Sequence, residues 1–205
     1  MELNTAVKQD FYVLAVTLAA RLNEILLEAR KISLEAMNAK ALVARGGLEM
    51  RTFKPITDYM SLLAKETIAV VSDINEAALH LAHQSLQEMR LRDVMRQISV
   101  RLPDIEQAPF GQSVLPSLDA LETDVRNQQG ALAEKIDHLA DLLGSIDQKM
   151  RAARVVSATT RIEAAVCGGS CEKHFLDVAA NLETAARLIR TRVTDCRKQL
   201  LTASQ

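Results

Sequence analysis

Apolar residues recur along this chain by alternating steps of four and three. From Phe11 they fall at Ala15, Leu18, Leu22, Ile25, Ala29, Ile32, Ala36, Ala39 and Val43, an unbroken heptad seam. A second run takes Ile56, Met60, Leu63, Val70, Ile74, Ala77, Leu81, Leu91, Met95, Ile98 and Leu102, with Thr67, Gln84 and Glu88 as polar members of the same register. A third reads Leu132, Ile136, Leu139, Leu143, Ile146, Met150, Ala153, Ser157, Thr160, Ala164 and Cys167. The fourth is Phe175, Ala179, Leu182, Ala186, Ile189, Val193, Cys196 and Leu200. A seven-residue repeat kept this long predicts left-handed supercoiling of packed helices. The doublets Gly46-Gly47 and Gly168-Gly169 each close one run shortly before the next begins, as glycine just past a helix end does, so each predicts a helical hairpin.

Pro103, Pro109 and Pro116 mark a connector over 103–116. The pattern therefore predicts an all-α, antiparallel four-helix coiled-coil bundle in a single domain, 1–205. Hairpin one covers 1–102 and hairpin two 117–205, with helices near 3–45, 53–101, 117–167 and 173–202 and both glycine tips at one end. Pro55 is tolerated only in a first turn, which starts the second helix near Thr52 and lengthens the first tip loop.

Composition supports helices: 48% of the 205 residues are hydrophobic but only 3% aromatic, with no Trp, 7 Gly and 4 Pro. The net charge of −1 leaves no cationic excess for a phosphate backbone, so nucleic acid is not expected as a partner. The apolar run from Phe11 to Leu18 covers about 12 Å as a helix, too little to span a membrane. Glu2 and Asp10 against Lys8 do not make the cationic leader of a signal peptide, and a cytoplasmic location is expected. Cys167, Cys171 and Cys196 are odd in number, so a structural disulfide framework is not expected.

The stretch Asn38-Ala39-Lys40-Ala41-Leu42-Val43-Ala44-Arg45-Gly46-Gly47, with Phe53, Asp58 and Leu63-Ala64 after it, resembles the signalling tip of bacterial methyl-accepting chemotaxis receptors. The segment Arg161-Ile162-Glu163-Ala164-Ala165, followed by Gly168, Phe175, Val178 and Ala179, is similar to the same tip with one residue more in the loop, making an internal duplication. Hairpin one keeps the family's Asn and Arg as Asn38 and Arg45 but has Leu42 in place of Glu. Hairpin two keeps the Glu as Glu163 but has Val166 in place of Arg.

The resemblance implies a pseudo-dimer of tips within one chain, a soluble receptor-like chemotaxis protein without catalysis or cofactor. Its implied partners are the chemotaxis histidine kinase and its coupling protein, with receptors as further contacts. The implied partner-binding residues are Asn38, Arg45, Phe53, Glu163 and Phe175, and the implied turns Gly46, Gly47, Gly168 and Gly169. With the polar set split between tips, weak or no self-assembly through them is expected. Alternatives are a coiled-coil scaffold without a chemotaxis role, or a thiol or metal sensor.

The sensor alternative rests on Cys167, Cys171 and His174, soft ligand types at C-x3-C-x2-H spacing that suit a metal or a reversible disulfide. No second Cys/His pair lies near in sequence, and Cys196, on a seam, reads as a small buried hydrophobe. His80, His83 and His138 flank the seams and read as solvated. No phosphate loop or hydrolase motif occurs. The fourth helix is too short to cover the distal seam at Phe11, Leu91, Met95, Ile98, Leu118 and Val125. The connector, with Ile105, Ala108, Phe110, Val114 and Leu115, is expected to fold over it, a distal dimer being the other cover.

Overall fold

The computed structural model describes residues 3–106 and 115–203. They form four long helices and no strand: α1 (Leu3–Arg45), α2 (Phe53–Glu106), α3 (Leu115–Cys167) and α4 (Gly169–Ala203). A single 3-10 turn, Gly47–Met50, lies between α1 and α2. At 1.5 Å per residue, 43 and 35 residues make α1 and α4 about 65 and 52 Å long. The 54 and 53 residues of α2 and α3 give about 80 Å each. Pro55 sits in the first turn of α2, where its missing N–H costs no hydrogen bond. None of these helices is long and apolar enough to cross a membrane.

Each helix packs along two neighbours, α1 on α2 and α4, and α3 on α2 and α4. Polar clasps cross every one of these seams. Lys40 meets Asp58 at 2.9 Å between α1 and α2, Lys149 meets Glu66 between α3 and α2, and Arg190 meets Asp147 at 2.8 Å between α4 and α3. Between α1 and α4, Arg21 pairs with Asp195, Glu24 with Arg192 and Glu35 with Asn181, so numbers rise on one helix as they fall on the other. The solvent-exposed pairs among these are worth about 0–1 kcal/mol each and set register more than stability, whereas Asp147 is partly buried and held by two arginines.

The core follows three of the four seams closely. Leu18 through Ala39 of α1, Leu132 through Ala164 of α3, and Phe175 through Leu200 of α4 are buried at every seam position. On α2 four seam positions are corrected by one residue: Thr57, Val71, Ala78 and Ser85 are buried where Ile56, Val70, Ala77 and Gln84 are half-buried, and Ala64 is buried beside the seam's own Leu63. The small side chains let neighbouring helices approach, and the bulkier ones seal the flanks. Polar core residues are satisfied locally: Thr67 and Thr160 each donate to the carbonyl four residues back at 2.7 Å, and Ser157 donates across to the Ala179 carbonyl at 2.8 Å.

Away from the glycine turns the packing loosens. Leu91, Met95, Ile98, Leu118 and Val125 are only half-buried, and the amide oxygens of Gln84 and Gln199 are buried with no hydrogen-bond partner among the described residues. The side chains of Phe11, Ala15, Leu102, Ile105 and Leu115 lie outside the described residues, as do Ala108, Phe110 and Val114 entirely, and with them the expected connector cap. Arg92, at this end, pairs with the buried Glu88 one turn before it, and desolvation lowers the Arg92 pKa.

Asp147 joins α3 to α4. Hydrogen bonding from Arg190 leads in holding its carboxyl below the ordinary 3.8, with burial opposing and Arg151 adding to the depression. A carboxyl depressed in the folded state adds stability above its unfolded pKa and loses it as pH falls through the folded one. Asp147→Asn should therefore cost about 1–2 kcal/mol in urea unfolding at pH 7, with the gap from wild type closing in acid below the unfolded aspartate range.

Candidate functional site

The two glycine turns lie together, because Phe53 from the start of α2 and Phe175 from α4 stack ring on ring. Their centroids are 3.6 Å apart with planes 10° from parallel, and neither ring is exposed. Two aromatic faces opposed in this way repel through their quadrupoles, so burial rather than ring attraction holds the pair. Of the five residues singled out for partner contact, these two are thus inside the tip. Asn38 and Arg45 are exposed, and Glu163 is half-buried near the end of α3.

The two turns are built differently. In the first, the Gly46 N–H still donates to the Leu42 carbonyl at 3.0 Å, extending the α1 ladder. A Cβ on Gly46 would overlap only the flexible thioether of half-buried Met50, which can turn aside, so the conformational demand of this turn falls on the next residue. The reversal comes at Gly47, whose φ of 65° is left-handed. In the second turn one residue separates the helices: Gly168 and Gly169 have φ of 67° and 61°, and α4 begins at Gly169 instead of near 173. The Gly168 N–H donates to the Ala164 carbonyl at 3.2 Å and its own carbonyl accepts from Glu172 N–H at 3.3 Å, so backbone bonding passes almost unbroken through the bend.

That early start corrects the reading of the sulfurs. Cys167 ends α3 and Cys171 lies in the first turn of α4, their Cα atoms 6.3 Å apart and joined by a disulfide, where no structural disulfide was anticipated. His174 is exposed, and no group of three or more His, Cys, Asp or Glu is gathered to hold a metal among the described residues. His80, His83 and His138 are exposed, with His80 4.0 Å from Glu76. Cys196 is a free, fully buried thiol on α4.

A feature that the seam reading passed over is apolar surface around the tip. Val155, Ile162 and Val166 on the last turns of α3 are 67%, 65% and 80% exposed, beside Glu163. Leu34 and Met37 on α1, and Tyr59 and Leu62 on α2, are exposed on hairpin one within about three turns of its bend. These are outer heptad positions, which in a solvated bundle carry polar residues. The sequence signal was available as apolar residues off the seam near a glycine doublet. Electrostatically the tip is mixed, with Arg45, Arg51, Lys54 and Lys173 against Asp58, Glu163 and Glu172.

Truncating either tip ring should unfold the protein more easily. Phe53→Ala and Phe175→Ala are each expected to lower unfolding free energy by about 3–5 kcal/mol, and the double variant by less than their sum, because the second truncation removes a ring already unpartnered. Urea titrations of the three variants measure this. No protein family, no curated protein and no solved structure matches the chain.

Proposed function

We propose that the chain is an antiparallel four-helix coiled-coil bundle in which two receptor-like hairpins pair within one polypeptide, and that it docks signalling partners through its two-tip end. The partners this reading assigns are the chemotaxis histidine kinase and its coupling protein, beside which the protein works in the cytoplasm. It performs no catalysis; its output is the presence and shape of the docking surface.

The observation that carries the reading is the exposed pair Ile162 and Val166, one turn apart beside Glu163 at the end of α3, Val166 being the most exposed large apolar residue among those described. Exposed apolar side chains also occur far from the turns, as at Val16, Val100 and Leu201, so the reading rests on this pair and its polar neighbours, which together suit a contact surface. Ile162 and Val166 supply desolvated anchors, and Asn38, Arg45 and Glu163 supply polar groups that orient a partner. Phe53 and Phe175 act from beneath, by fixing the two turns against each other. The bundle arrangement is supported by the opposed numbering of the α1–α4 clasps and by the ring stack between the turns. A scaffold without a chemotaxis role would share the bundle, and the pull-down below separates the two readings.

Pull-down of purified coupling protein and kinase tests the proposal. Arg45→Glu, Glu163→Arg and Ile162→Ser should each weaken capture about tenfold or more with helicity unchanged. Capture that ignores all three substitutions returns the protein to the scaffold class.

A further inference from the structure

Cys167 and Cys171 bridge the second turn, and the two residues stand in unlike surroundings. Cys167 is half-buried, with access to solvent, whereas Cys171 is 6% exposed and belongs to the core. One helical turn beyond Cys171 lies Phe175, whose ring faces Phe53 of the other hairpin. The bridge therefore ends on the turn of helix that carries the contact between tips.

We infer that Cys167 and Cys171 form a reversible redox site in the second tip, which exchanges electrons with low-molecular-weight thiols and disulfides of the glutathione type and so regulates the docking end. Only the regulatory clause rests on the proposed docking; the site itself stands on the geometry of the turn.

The chemistry follows from the asymmetry. An external thiolate attacks Sγ of Cys167, the sulfur it can reach. A bond forms between Cys167 and the external sulfur, the Cys167–Cys171 bond breaks, and its electron pair leaves on Sγ of Cys171. That leaving thiolate sits in the first turn of α4, at the positive end of the helix dipole, and it then takes a proton. A second external thiolate attacks the external sulfur of the mixed disulfide and releases Cys167, which also takes a proton. Two small thiols have become one small disulfide, and two electrons have entered the protein. Oxidation reverses the steps, with the small disulfide as electron acceptor.

Cys196 is excluded from this exchange by its position. It is fully buried, and desolvation pushes its thiol up to about 11, so it supplies no thiolate near neutral pH. Opening the bridge leaves the turn held by its backbone bonds through Gly168 and Gly169, the residue type with most backbone freedom. The first turn of α4, and with it Ile162 and Val166 across the bend, then loses its covalent brace.

The test uses the full chain equilibrated in glutathione buffers from fully reduced to fully oxidised, acid-quenched, alkylated and mapped by mass. Cys167 and Cys171 should convert together, and Cys196 should alkylate only after denaturation. Amide exchange over 164–176 should be about tenfold faster in the reduced protein, with 139–153 unchanged. The Cys167→Ser, Cys171→Ser double variant should exchange at the reduced rate in both buffers. Two free thiols in fully oxidised buffer overturn the inference, as does glutathione retained on Cys167 without ring closure. Tip exchange indifferent to redox state removes the regulatory part. None of these readouts involves a docking partner, so failure of the docking reading is distinguished by the pull-down alone.

Discussion

The contact between Phe53 and Phe175 is the constraint from which the rest of the structure follows. Each hairpin alone has one apolar stripe per helix and nothing to tell it where along a partner to stop, since a heptad seam fits itself at every seven-residue shift. Two rings that must share one dry space at the bends remove that freedom. Once they meet, Glu35 comes level with Asn181, Glu24 with Arg192 and Arg21 with Asp195, a run of clasps whose spacing keeps step over about four turns. The clasps are individually weak, but they penalise any slip that the rings would tolerate.

Packing quality then declines with distance from that anchor. Around the middle of the bundle the layers are Leu, Ile, Met and Ala with well-partnered threonines and serines. Toward the other end the buried set acquires Ser85 and Glu88, amide oxygens of Gln84 and Gln199 without a partner among the described residues, and apolar residues left half-buried. An unsatisfied buried acceptor costs about 1–3 kcal/mol, so these layers hold less of the stability than their length implies. Among the described residues, the layers nearest the tip are thus the best satisfied.

Much of this was legible in the heptads, because a helix with one buried face writes that face into its spacing. The seams of α1, α3 and α4 are buried where the spacing put them, and the helix ends at Arg45, Phe53 and Cys167 fall at the expected punctuation. On α2 the count chose Val70 and Gln84 where the core took Val71 and Ser85, because adjacent residues satisfy a three-four alternation equally and only the neighbour helix decides between them. That Phe53 and Phe175 stand at the same place in each tip was legible and fits a shared tip core, but their direct stacking was not, since it pairs residues from two hairpins. The sulfur bridge stood in the sequence only as one of two options for Cys167 and Cys171, a metal being the other, because choosing it required α4 to begin at Gly169 and carry Cys171 back over the end of α3. The outer apolar residues Val155, Ile162 and Val166 escaped because a seam search discards whatever lies off the seam.

The two turns divide the work of the tip. The first is wide, with a 3-10 turn and Met50 packed over Gly46, and it presents Asn38 and Arg45 on a helix end whose backbone dipole favours the cation. The second is as short as a helical reversal allows and is braced by sulfur, and it presents Ile162, Glu163 and Val166. The two hairpins thus differ in what they expose, and the single polypeptide holds them together: covalent linkage fixes their ratio at one to one, and the ring stack their orientation, without depending on concentration to bring two chains together.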